Sequence, residues 1–163
     1  MQTPTTLVEL FEPWADVYGN SSVLPTIIVF GHLAGLMIGG GLAITLDRAT
    51  LRAVGGSHGE RQRQLGELRS GHRWVLAGLA LSAATGVLLL TADVETYFVS
   101  AIFWTKIGLI VALLANGYAM TRSEARVQAS PDTGDWSQLR ARAVTSLALW
   151  FAIALAGVAL VNT

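Results

Sequence analysis

The feature that most constrains this chain is where its arginines stand relative to its apolar runs. Four stretches are long enough to cross a hydrocarbon core, which needs about 20 mostly apolar residues. They run from Val23 to about Leu46, Trp74 to about Ala92, Phe98 to Met120, and Ala143 to about Val161. Arg48, Arg52, Arg61, Arg63, Arg69 and Arg73 fall between the first and second stretches; Arg122, Arg126, Arg140 and Arg142 fall between the third and fourth. With four crossings, both segments lie on one side of a membrane, whereas one span more or fewer would scatter the arginines. Backbone groups in lipid must be satisfied within the segment, so each span is predicted to be a helix. The predicted fold is therefore all-α, an antiparallel four-helix transmembrane bundle forming a single membrane domain over residues 1–163. By the positive-inside rule the arginine side is cytoplasmic and both termini face out. The outer segments carry only acids: Glu9, Glu12, Asp16, Asp93 and Glu95.

Composition agrees. Charged residues are 13%, about half of the usual ~25%, and a mean hydropathy of +0.51 is too apolar for a disordered chain. A formal net charge of zero offers no electrostatic footprint for nucleic acid. The absence of cysteine excludes disulfides, thiolate metal sites and cysteine nucleophiles.

The first 47 residues contain no lysine or arginine, so the positive region of a signal peptide is not evident. Instead, residues 6–18 place Leu7, Leu10, Phe11, Trp14, Val17 and Tyr18 on one helical face. Thr6 and Glu9 have capping-box spacing. This predicts a short helix in the outer interface, either a lid over the mouth of the bundle or a simple anchor. Between the first two spans, Gly55-Gly56-Ser57-His58-Gly59 follows no strand and reads as a flexible turn rather than a phosphate cradle. Glu60 to Arg69 suits a charged helical extension of the second span, and Ala129 to Asp135 reads as another polar turn.

His32 is the sharpest candidate for chemistry. It lies nine residues below Val23, ~13 Å into the first span, and an ionisable ring at that depth is a functional hypothesis by default. Helical spacing places Gly35, Gly39 and Ala43 on its face. A stripe of small residues lets something flat approach the backbone, either a neighbouring helix or a porphyrin ring, and histidine is a usual ligand of haem iron. The plainer reading is that His32 hydrogen-bonds across helices while Gly31, Gly35 and Gly39 pack the bundle.

His72 begins the second span at the inner surface, too far from His32 for both to ligate one iron, and fits an interfacial role beside Arg73. His58 lies in the loop. Lys106, the only lysine, sits eight residues into the third span, ~12 Å down and close to the depth of His32. It would pair with His32 around a ligand, or snorkel outward through lipid. The helical wheel leaves this open, because Lys106 shares a face with Ile102, Phe103, Ile110 and Leu113 while the small residues Gly108, Ala112 and Ala115 stand opposite. Asn116, Ser82, Thr85 with Gly86, and Thr145 with Ser146 are placed to bridge helices. Trp74, Tyr97, Trp104 and Trp150 read as interface anchors, and Met37 as core.

Several of these segments carry a resemblance: His32-Leu-Ala-Gly-Leu-Met-Ile-Gly-Gly-Gly and Leu46-Asp47-Arg48, Ala84-Thr85-Gly86-Val87-Leu88, Phe103-Trp104-Thr105-Lys106-Ile107-Gly108-Leu109, and Ser146-Leu147-Ala148-Leu149-Trp150. From about residue 7 onward the chain resembles a family of uncharacterised four-helix proteins of the bacterial inner membrane. More distantly, it is similar to the copper-resistance protein D family and to the haem-dependent membrane protoporphyrinogen oxidase. The likeness implies that His32 and Lys106 match a histidine and a lysine of those families, that haem b or a metal is held at His32, and that the location is the bacterial cytoplasmic membrane. Where the oxidase has a Tyr-His pair in its third span, this chain has Ala115-Asn116-Gly117.

Three readings of function follow. The first is a small membrane protein binding b-type haem or another redox cofactor, with His32 as axial ligand, Gly35 and Gly39 as the wall facing the ring, and Lys106 nearby. The second is transport of copper or another metal along a path through His32. The third is an accessory subunit that packs against other membrane subunits or a second copy of itself. The bilayer is a partner in all three, and whether a reaction is catalysed stays open.

Overall fold

A computed structural model describes residues 5–129 and 136–162. Among these residues there are six helices and no strand: α1 (Thr5–Gly19), α2 (Leu24–Ala53), α3 (His58–Ala92), α4 (Val94–Val99), α5 (Ala101–Ala129) and α6 (Trp136–Val161). Helices α2, α3, α5 and α6 are each long and apolar enough to cross a membrane. Their outward faces agree, since Phe30, Met37, Val111, Phe151 and Leu155 are all exposed. Such a surface suits lipid and would be unfavourable in water by about 25 cal/mol per Å². The chain has the architecture of a multi-pass membrane protein.

The spanning helices overrun their apolar centres at the arginine-bearing end, because charged residues extend a helix beyond a bilayer as readily as apolar ones fill it. α3 begins at His58, well before Trp74. Its start is set by Ser57, whose hydroxyl accepts the Glu60 backbone N–H at 3.4 Å while the Glu60 carboxylate accepts the Ser57 backbone N–H at 2.6 Å. This reciprocal pair is a capping box, so the glycine-rich stretch is a short turn ending in a defined helix start. Arg61 closes the turn by donating to the Val54 carbonyl at 2.7 Å, with its guanidinium over the Trp136 ring at 5.3 Å. The turn expected at Ala129 to Asp135 lies, past Ala129, outside the described residues.

At the opposite, acidic end, Phe98 and Val99 belong to α4, and extended backbone at Ser100 separates them from α5. The third span therefore starts three residues later than its apolar run suggests. α1 matches the helix expected over residues 6–18. It is already helical at Thr5, so Thr6 sits inside the helix rather than capping it. Trp14 Nε1 donates to the Leu88 carbonyl at 3.1 Å, seating α1 against the acidic end of α3.

Two antiparallel hairpins, α2–α3 and α5–α6, join through α2 and α6; α5 makes no comparable contact with α2 or α3. Glycine sets the α2–α3 seam. A Cβ at Gly35 would stand 2.6 Å from the Ser82 backbone nitrogen, and one at Gly39 would stand 3.1 Å from the Val75 carbonyl. Gly78 on α3 faces the Gly39 backbone in return. Between α2 and α6, Gly40 receives the Trp150 ring. Trp150 is consequently core rather than an interface anchor, and Met37, 76% exposed, is surface rather than core.

The packing is uneven along the bundle. Near the arginines, Leu46, Ala53, Leu65, Leu68, Met120, Val127, Trp136 and Leu139 bring all four long helices into one cluster. Ala43, Leu113, Trp150 and Ile153 form the next layer. Toward the acidic end, beyond Gly35, Ser82, Leu113 and Ile153, Ile28 is the one buried residue left in the four helices among those described. The bundle is closed at its basic end and opens toward its acidic end.

Candidate functional site

His32 stands at that opening. It lies on α2 three residues before Gly35, so the glycine seam holds it against α3. Its Nδ1 is 2.9 Å from the Ser82 carbonyl oxygen, 3.3 Å from Thr85 Oγ1 and 3.4 Å from Ser82 Oγ. Thr85 Oγ1 in turn donates to the Leu81 carbonyl at 2.7 Å. A carbonyl only accepts, so the short contact assigns the proton to Nδ1, and a neutral ring then keeps its lone pair on Nε2. Gly86 makes room for this placement, since a Cβ there would come within 3.2 Å of His32 Cε1. The ring is half-buried, and no described residue hydrogen-bonds its Nε2.

Lys106 faces the bundle. It is half-buried, with Leu109, Ile110 and Leu113 of the same face packed into the apolar core. Its Nζ approaches Gly157 of α6, where an added Cβ would stand 3.5 Å away. It also lies within Coulombic range of His32. The small residues opposite, Gly108, Ala112 and Ala115, are exposed, and nothing stands within 4 Å of a Cβ placed at Gly108. Of the two faces the wheel left open, the packed one is that of Lys106, where Leu113, Asn116 and Met120 are buried. An open hollow of about 510 Å³ lies at the acidic end of the bundle, lined by Glu95, Thr96, Val99, Ser100 and Leu160. At the same rim, burial first, then the Asp93 carboxylate and Tyr18, hold the Tyr97 phenol above its ordinary range.

His32 and Lys106 both turn toward neighbouring helices, His32 onto α3 and Lys106 toward Gly157 of α6, whereas Gly35 and Gly39 do not line an open wall. Both are buried against the α3 backbone, so in this structure the stripe is a helix seam with no space for a ring. The helix-bridging expectations resolve into specific contacts. Ser82 and Thr85 hold His32, Asn116 Nδ2 donates to the Arg142 carbonyl at 3.0 Å, and Ser146 stands near the Asp47 carboxyl. Asp47 itself was not legible as a site residue. It is 3% exposed, yet in sequence it reads as the polar end of a span beside Arg48.

The arrangement offers one imidazole nitrogen free to bind, oriented from behind, with a cation nearby. Compared with known proteins, the chain matches no family model, no curated protein and no solved structure.

Proposed function

We propose that the chain is a small protein of the bacterial cytoplasmic membrane, arginine side inward, in which His32 would hold b-type haem at the open outer end of the bundle. The observation that carries this reading is the 2.9 Å contact from His32 Nδ1 to the Ser82 carbonyl. A metal-binding histidine almost always donates its other ring N–H to a carbonyl, carboxylate or water, which sets the tautomer and raises ligand basicity. The donor set fits haem, since a single histidine is a common protein ligand of its iron. The Gly35 and Gly39 face is closed by α3 and takes no part; the group would approach the Nε2 side of His32. Lys106 would supply a positive charge for a carboxylate of the bound group. Haem b, when bound, contributes one-electron redox chemistry; the protein's own part is to hold the Nδ1 proton on Ser82, leave Nε2 unprotonated, and surround the site with apolar helices. A copper path through His32 would use the same nitrogen, and elemental analysis separates it from haem.

A second reading is favoured by the exposed small face of α5. Gly108, Ala112 and Ala115 would let another helix approach closely, as in an accessory subunit of a larger assembly or a second copy of the chain. The visible spectrum of detergent-purified protein discriminates. A Soret band lost in His32→Ala supports the first reading. A colourless preparation from haem-supplied cells, co-purifying with partner subunits, supports the second.

A further inference from the structure

The basic half of the bundle holds a second polar cluster, remote from His32. Asp47 lies fifteen residues further along α2, ~22 Å at ~1.5 Å per residue. It is 3% exposed, and the Ser146 hydroxyl of α6 stands near its carboxyl. One carboxyl oxygen, Oδ2, is sealed from solvent without a hydrogen-bond partner. Asn116, 6% exposed on α5, reaches the same turn of α6. Its Nδ2 donates at 3.0 Å to the Arg142 carbonyl, the group that in an α-helix accepts the N–H of residue 146. Its Oδ1 is likewise buried and unpartnered. α2 and α5 therefore each bring a buried acceptor oxygen without a partner to the stretch of α6 around residues 142–146.

Acceptors alone cannot satisfy each other. A buried carboxylate needs a counter-charge or a proton, because removing an isolated ion from water is strongly unfavourable. The arginines nearest in sequence, Arg48 and Arg142, are exposed, and no group fills the Oδ2 position. The missing component is a single positive charge that oxygen atoms can hold. One carboxylate with neutral oxygens suits a monovalent ion, whereas divalent cations gather more anionic ligands.

We infer that Asp47, Asn116 and Ser146 form a binding site for one small cation, either a proton on the Asp47 carboxyl or a sodium ion between the two bare oxygens. As an acid, Asp47 becomes a donor facing a region that holds the free Asn116 oxygen; with sodium, both oxygens act as ligands beside the Ser146 hydroxyl. The site stands independently of what His32 binds.

The experiment uses the full chain in detergent, in choline and in sodium buffers. Infrared difference spectra of wild type against Asp47→Asn should show a carboxylic-acid C=O stretch in choline buffer if the charge is a proton. Sodium should instead raise the thermal midpoint over choline, with the rise lost in Asp47→Asn, if it is sodium. An ionised Asp47 in choline buffer, combined with no sodium-dependent stabilisation, overturns the inference. Should Asp47→Asn fail to fold, Asn116→Leu serves in its place. The inference then requires a shifted acid band or a weakened sodium response, and an unchanged spectrum with an unchanged sodium response overturns it.

Discussion

His32 Nδ1 lies 2.9 Å from the Ser82 carbonyl oxygen, and the acceptor is backbone rather than side chain. The consequence is that Ser82→Ala should leave the ring in place. Gly86→Leu should not, because a Cβ at that position already meets His32 Cε1 at 3.2 Å. Loss of the group behind a metal-binding histidine lowers affinity by roughly 10–100-fold. We expect a loss of that size for haem in Gly86→Leu and little change in Ser82→Ala, read from haem titrations of the two purified variants.

The two glycine-bearing faces should respond oppositely to alanine. At Gly35 a Cβ would stand 2.6 Å from backbone on α3, so α2 and α3 must separate, at a cost of about 1–3 kcal/mol for overpacking. At Gly108 nothing stands within 4 Å, and alanine there should be neutral or stabilising by up to ~1 kcal/mol from helix propensity. Unfolding midpoints in detergent decide this; equal effects at the two positions would contradict the seam.

Arg61 and Arg63 are neighbours in sequence with unequal roles. Arg61 bonds the Val54 carbonyl and covers Trp136, contacts worth about 1.5–3 kcal/mol for a charged hydrogen bond. Arg63 makes an exposed pair with Glu67 at 2.9 Å, of a kind worth ~0.3–0.5 kcal/mol within a helix. Arg61→Ala should therefore lower stability several times more than Arg63→Ala, measured by denaturant unfolding of both.

Sidedness can be read by labelling, because the chain has no cysteine of its own. Gly59 is exposed in the turn before α3 and Asn20 is exposed between α1 and α2. In intact bacterial cells, a membrane-impermeant maleimide should modify Asn20→Cys, and should reach Gly59→Cys only after the cells are opened. The reverse pattern would invert the topology.

The apolar centres of the spans were legible because lipid demands composition, and composition is local. The helix ends were less so: α3 extends back to Ser57 through charged turns that carry no apolar signal, and its cap sits in a run that reads as flexible glycine. The orientation of α5 could not be read from a wheel. In a helix that is apolar nearly all round, size and polarity vary too little to mark a face, and the packed side turned out to hold Lys106, Leu113 and Asn116. His32 was legible as an isolated imidazole in an apolar run. Its partner was not, since a backbone carbonyl has no residue type. Asp47 stayed hidden for a related reason: only the packing of other helices around it distinguishes a buried carboxyl from one at a membrane surface.

Whether His32 offers its free nitrogen to a haem is decided by the visible absorption spectrum of the protein purified from haem-supplied cells, beside that of His32→Ala. A Soret band near stoichiometric intensity is expected in the wild type, with its loss in a variant that still folds. No such band in the wild type, or equal bands in both proteins, would contradict haem binding at His32.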